Sequence, residues 1–212
     1  MVVSVVVVAG APWTWRPWAV RVVRAADIVL AADGGANHLA RIGVRPAAVI
    51  GDLDSILPSV RQWVGEERIV ARADQDHTDL AKTLSYAFDE RGATRVTVLA
   101  ASAGRLDHAL ENLGVLAHFS ARGELEFLDH EYRLVVVTER ASLATTPGQM
   151  LSLMPLGRCQ RVWAEGVRWP LAGEPLDLAE RTGISNVAEA AQVELRVEGG
   201  TLLVFLSHDL EE

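Results

Sequence analysis

The chain reads as α/β in its N-terminal part, a doubly wound and mostly parallel sheet, followed by an antiparallel β-sandwich. Three observations predict this. First, Val- and Ile-rich runs with little polar alternation recur at 2–9, 28–32, 47–50, 68–71 and 96–100, as expected of strands covered on both faces. Second, segments with helical spacing fall between and after them, at 18–26, 36–43, 57–66, 80–91 and 106–122, the β-α-β-α order of a parallel sheet. Third, the texture changes after Gly123. Short strand candidates follow at 124–128, 134–137, 150–155, 161–165, 193–197 and 201–206, separated by Pro147-Gly148, Leu156-Gly157 and Gly199-Gly200. The one helical candidate there is 176–180. These features predict a catalytic α/β domain over 1–122 and a β-sandwich over 123–212.

Composition narrows the function. With 212 residues, half of them hydrophobic, the chain is long enough to bury a substantial core. Its net charge of −8 and its lack of a basic run argue against nucleic acid and anionic membranes as partners. The single cysteine, Cys159, rules out an intramolecular disulfide or a multi-thiolate metal site within one chain, and is expected in the core. The apolar run at the N-terminus is too short to span a bilayer and lacks a basic flank and cleavage site. A cytoplasmic enzyme is the expectation.

Four polar clusters follow predicted strands, where open α/β sheets bind ligands. In A-A-D-G-G-A-N, Asp33 precedes Gly34 and Gly35, which allow close backbone approach and N–H groups aimed at an anion; Asn37 stands near the helix start. In G-D-L-D-S, Asp52 and Asp54 share one side of an extended chain. Like charges that close repel unless a cation intervenes, and Mg²⁺ suits one or two carboxylates completed by water and phosphate. Ser55 is expected to cap the following helix.

In D-Q-D-H-T-D-L-A-K, capping by Asp76 or Thr78 explains only part of the acid content, which also includes Asp74 and Asp79. Asp79 and Lys82 share a face opposite Leu80, Leu84 and Phe88; they read either as a surface ion pair or as a lysine reaching phosphate beside a metal-binding acid. In S-A-G-R-L-D-H-A-L-E-N-L, Arg105, His108 and Asn112 form one stripe, and Leu106, Leu110, Leu113 and Ala117 the apolar one. An arginine in a first helical turn opposes the dipole, and phosphate binding is a reason for it to be there. A solvated loop accounts for any one cluster, whereas together they favour metal-assisted phosphate chemistry.

At these motifs the chain resembles the thiamine pyrophosphokinase family. The residues that carry the resemblance stand, in order, at 33–37, 51–55, 74–82, 103–112, 168–171 (R-W-P-L) and 183–186 (G-I-S-N). Two departures are Ala81, where bacterial members commonly have Glu, and Ala103, where they have Gly; both spare the charged positions.

The resemblance implies transfer of the β,γ-pyrophosphoryl group of ATP to the hydroxyl of thiamine, giving thiamine diphosphate and AMP with Mg²⁺, in a homodimer. It implies Asp52, Asp54, Asp76 and Asp79 as metal-binding. It assigns ATP to Asp33, Gly34, Gly35, Asn37, Thr78, Lys82, Arg105, His108 and Asn112, and thiamine to Trp169, Ser185 and Asn186. Asp54, Asp79, Arg105 and Asp107 would be catalytic, one of the three aspartates accepting the hydroxyl proton. The vitamin-side residues belong to the other domain, so a subunit interface would complete the site. Two alternatives remain at this point. One is the same transfer to another acceptor such as a hydroxymethylpterin. The other is a non-catalytic protein that binds nucleotide or thiamine diphosphate.

Overall fold

The computed structural model describes residues 2–208, which divide into two compact units, 2–129 and 130–208.

In the first unit the strands are β1 (Ser4–Val8), β2 (Ile28–Ala32), β3 (Ala48–Gly51), β4 (Ile69–Ala71), β5 (Arg95–Leu99) and β6 (Glu124–Leu128). The helices are α1 (Pro17–Ala25), α2 (Gly35–Arg41), α3 (Pro58–Val64), α4 (Asp79–Asp89) and α5 (Leu106–Phe119). The strands lie in the order β6-β5-β1-β2-β3-β4 and every pairing among them is parallel. The Val-rich β1 is central, and its side chains serve both faces: Val6 and Val8 join Trp18, Leu39 and Val64 of α1, α2 and α3 in one core, while Val5 and Val7 point to the other face. After β4 the chain returns through α4, which packs across β3, β2 and β1, and reaches β5 beside β1. The strand order therefore reverses between β1 and β5, the place where such sheets open a crevice at their carboxyl ends.

Gly35 shows how tightly α2 is set. A Cβ there would lie 1.9 Å from the Val8 carbonyl oxygen, so only glycine lets the helix start against β1. Along α4 the expected apolar line Leu80, Leu84 and Phe88 is buried. On α5 the expected line is not the core face. Leu106 is 83% exposed and Leu110 is also exposed, while Val115, Leu116 and Phe119 make the core contact. The first turns of α5 turn their polar stripe to the strand ends and leave the leucines outside.

β6 pairs in parallel with β5, from Arg95↔Glu124 to Val98↔Phe127. The structure thus groups Glu124–Leu128 with the first unit, through a β-α-β crossover, and that unit runs to Asp129 rather than to 122. Its alternating E-L-E-F-L resembles the antiparallel strands that follow it, which is why sequence texture placed it with them.

The second unit holds β7 (Tyr132–Val137), β8 (Arg140–Ala144), β9 (Met150–Leu156), β10 (Arg158–Glu165), β11 (Leu171–Asp177), β12 (Gly183–Val187), β13 (Gln192–Glu198) and β14 (Thr201–Ser207). They form antiparallel layers in the orders β12-β9-β14-β7 and β11-β10-β13-β8. Leu151, Leu153, Val162, Leu176, Val193 and Val204 from both layers share one core, which makes the expected sandwich. Cys159 is buried in that core as expected.

Three strands escaped the sequence reading. β8 is short and polar; β11 contains Gly173 at φ +107 and Pro175; β12 has an irregular register between Gly183 and Asn186. The helix expected at 176–180 is absent. Leu176 is buried at the end of β11, and Asp177 N–H donates to the Arg181 carbonyl across a tight turn.

Candidate active site

The carboxyl ends of β1, β2, β3 and β5, with the start of α4, surround a cavity of about 400 Å³. Its walls include Gly10 and Pro12 after β1, Asp33 and Gly34 after β2, Asp52 after β3, Thr78, Asp79 and Lys82 at α4, and Arg105, His108 and Asn112 at α5. One carboxylate oxygen each from Asp33, Asp52 and Asp54 lies within 4.8 Å of the others. The sequence reading placed Asp33 on the nucleotide side; the fold adds it to the acid cluster.

Asp33 is 3% exposed, at φ +37. Its carboxylate accepts the Ser55 N–H at 2.9 Å and the Ile56 N–H at 3.0 Å. Burial raises its pKa above the ordinary value; those two hydrogen bonds oppose the rise and the nearby Asp79 and Asp54 charges add to it. Asp52 and Asp54 are exposed. Asp54 Oδ1 accepts the Ser55 hydroxyl at 2.6 Å. Ser55 therefore serves this loop and does not cap α3, whose N-cap is Leu57 with proline at the first turn.

Asp79 opens α4 immediately after its N-cap, Thr78, whose hydroxyl accepts the Ala81 N–H. The Asp79 carboxylate lies 3.1 Å from Lys82 Nζ and accepts the Asp52 N–H at 3.3 Å. Gly51, at φ +154, leaves the room this needs, since a Cβ there would be 2.9 Å from Asp79 Cγ and from Asp33 Cβ. The Lys82 side chain is only 7% exposed, which fixes its ammonium at the cavity wall.

Other expected residues turn out to be occupied. Asn37 donates to the Ser55 carbonyl at 2.9 Å and accepts the Leu57 N–H at 3.0 Å, so both ends of its amide clamp the β3–α3 loop. Asn112 donates to the Ala101 carbonyl at 2.8 Å. Arg105 makes a two-point contact with Asp107, which holds that carboxyl down at about 2. Asp74 accepts the Asp76 N–H at 2.8 Å and meets His77 Nδ1 at 2.5 Å, ordering the loop before α4; these contacts lower its pKa, the Asp76 bond most. Asp76 faces a neighbouring cavity of about 660 Å³ between α4 and α5 and stands outside the acid cluster.

The wall from Gly10 to Pro12 went unnoticed in the sequence, although A-G-A-P directly after a buried run is a turn signal.

In the second unit, Trp169 is 56% exposed, with Arg168 over its ring at 5.7 Å. Ser185 sits at φ +58 in the irregular part of β12. Asn186 is buried. Its side chain accepts the N–H groups of Trp169 at 3.1 Å and Val187 at 2.8 Å and donates to the Trp169 carbonyl at 2.9 Å. It holds the backbone of Trp169 in place.

A doubly wound sheet with carboxylates, a fixed lysine and an arginine converging at its strand ends defines a phosphate-transferring enzyme. Comparison gives the family. Residues 19–127 match the model of the thiamin pyrophosphokinase catalytic domain, and residues 135–202 that of the thiamin pyrophosphokinase vitamin B1 binding domain. The chain belongs to the thiamin pyrophosphokinase family, enzymes that transfer a pyrophosphoryl group to thiamine. It is 26% identical over 208 residues to thiamine pyrophosphokinase 1 of Oryza sativa subsp. japonica, covering 80% of this chain and 75% of that one. The structure of thiamin pyrophosphokinase from Geobacillus thermodenitrificans aligns with a TM-score of 0.83 at 25% identity, over 98% of this chain and 99% of that one. The enzyme from Bacillus subtilis has the same fold, with a TM-score of 0.83 at 22% identity over 98% of this chain and 100% of that one. Among the described residues no helix is long and apolar enough to cross a membrane.

Proposed function

We propose that the chain moves the β,γ-pyrophosphoryl group of ATP to the hydroxyl of thiamine and releases AMP, with Mg²⁺ as its resident cation. The observation that carries this is that Asp33 and Asp52, which form an acid cluster with Asp54, line one cavity with Lys82 and Arg105. Hard carboxylate oxygens, two of the three side chains exposed, that would otherwise repel one another fit a small divalent cation. Asp52 and Asp54, with Asp33 and Asp79 beside them, would hold it; Asp76 is left out of the set. When bound there, the cation offsets charge on the phosphoryl oxygens.

The remaining work falls to side chains. Lys82, held by Asp79, presents a fixed positive charge to the phosphates. Arg105 exchanges Asp107 for a phosphate oxygen, the planar guanidinium suiting both. Gly34, Thr78, His108 and Asn112 complete the donor side of the cavity, while Gly35 and Asn37 keep its loops in place. The hydroxyl proton goes to Asp54, whose carboxylate meets the Ser55 hydroxyl and takes part in no ion pair among those described, whereas Asp79 is engaged by Lys82 and the Asp52 N–H. Trp169 and Ser185 contact the vitamin, and Asn186 supports them; an exposed tryptophan suits a cationic thiazolium. A homodimer in the cytoplasm is the setting this reading implies.

Purified protein with ATP, Mg²⁺ and a panel of hydroxyl acceptors tests the reading, with AMP followed as product. AMP release with thiamine, abolished by chelation and restored by Mg²⁺, is expected. Turnover that survives chelation, or release with a pterin alcohol but not with thiamine, refutes it.

A further inference from the structure

His38 lies in α2, 8% exposed, with its ring Nε2 2.9 Å from the Ala11 carbonyl oxygen. A carbonyl only accepts, so Nε2 carries the proton and the ring is the donor. Nδ1 is buried and without a partner among the described residues. Burial pushes the imidazole below its ordinary pKa, against the opposing pull of the Ala11 carbonyl, so the ring is neutral at pH 7. Behind the ring, the His38 carbonyl accepts the Trp15 indole N–H at 2.9 Å, which ties α2 to the same loop a second time.

Ala11 is thereby held from two sides. Its N–H donates to the Ala100 carbonyl after β5 at 3.0 Å, and its own carbonyl is taken by His38. The next residue, Pro12, abuts Gly104: a Cβ at Gly104 would come within 2.7 Å of Pro12 Cδ, and Gly104 is at φ +86. Gly104 directly precedes Arg105. One buried donor thus sets the height of Ala11, Pro12 leans on the turn before Arg105, and Ala11, Pro12 and Arg105 all line the cavity.

We propose that His38, which touches neither substrate, is a positioning residue for the phosphate-donor half of the cavity, acting through the Ala11 carbonyl on the Pro12–Gly104–Arg105 wall. The proposal rests on ATP being the donor. A positional role and a purely stabilising one differ in which KM they move.

Steady-state kinetics and thermal melts on a small set of variants do this. H38L removes the donor; it should raise the KM for ATP about tenfold, the worth of one buried hydrogen bond, while leaving the KM for thiamine within about twofold. H38Q keeps an amide N–H near the position of Nε2 and should recover most of the ATP affinity. H38N is polar but too short to reach Ala11, and should behave like H38L. W15F loses the bond to the His38 carbonyl but not the one to Ala11; it should lower the melting temperature without moving the KM for ATP. Should H38L fail to fold, the contrast between H38Q and H38N carries the comparison.

An unchanged KM for ATP in folded H38L or H38N overturns the proposal, as do an equal rise in both KM values or a W15F effect as large as that of H38L. A donor-independent readout separates this from failure of the ATP reading: side-chain ¹⁵N NMR of the free protein should show His38 as the neutral Nε2–H form at pH 7. The Nδ1–H form overturns it whatever the donor is.

Discussion

The two units treat polar residues in opposite ways. In the parallel unit, successive strands end on one side of the sheet, and each delivers a polar group there: Asp33 after β2, Asp52 and Asp54 after β3, Asp79 after β4 and Arg105 after β5. These groups come from distant parts of the sequence, and several meet with like charge. In the antiparallel unit, strand ends alternate between opposite sides, and the most buried polar group of the motif regions, Asn186, is spent on its neighbours. A parallel sheet collects charge for chemistry, whereas a sandwich that presents the exposed Trp169 offers a surface. The first should therefore fail catalytically when altered, the second structurally.

The largest effect should come from D52N. Losing one carboxylate from the acid cluster should lower kcat about a thousandfold, in line with losing a main electrostatic contact to the transferred group. Asp52 is exposed and takes part in no ion pair among those described, so stability should stay within about 0.5 kcal/mol. Rate assays and melts on the same preparation check both halves. A large stability loss with turnover intact would make the cluster structural and remove the contrast between the units.

N186A is the counterpart in the second unit. It deletes the acceptor of two backbone N–H groups and the donor to Trp169, leaving partly buried groups unpaired. Denaturant unfolding should show a loss of about 2 to 3 kcal/mol. With Trp169 released, the KM for thiamine should rise while that for ATP stays put. A fall in kcat with normal stability would mean that Asn186 acts on substrate directly.

The sequence disclosed the scaffold where one physical signal dominates. Apolar runs marked β1 to β5, and Leu80, Leu84 and Phe88 marked the inner face of α4. It concealed strands whose pairing depends on tertiary fit: β11 accommodates Gly173 because a Cβ there would meet the Trp163 ring at 3.0 Å. At the site, motif spacing found the polar positions but not their duties. Gly35 exists for the Val8 carbonyl, and Asn37, Asn112 and Asn186 each engage backbone that only the fold brings near. The place of Asp33 in the acid cluster likewise depends on β2 lying next to β3. Partners set by strand order leave no trace in local pattern.

The smallest effect tests whether helix bodies in the first unit are scaffold alone. Gly114 lies inside α5, without the left-handed backbone that would require glycine, and a Cβ there meets nothing within 4 Å. It lines the cavity between α4 and α5, not the one at the strand ends. Alanine restricts the unfolded chain and suits the helix better, so G114A should raise stability by about 1 kcal/mol. Activity should be unchanged if all chemistry sits at the strand ends. Unfolding curves and kcat/KM on one variant decide it. Higher stability with lower turnover would show that the α4–α5 groove takes part in the reaction cycle, so that the polar economy of the first unit would extend beyond its strand ends.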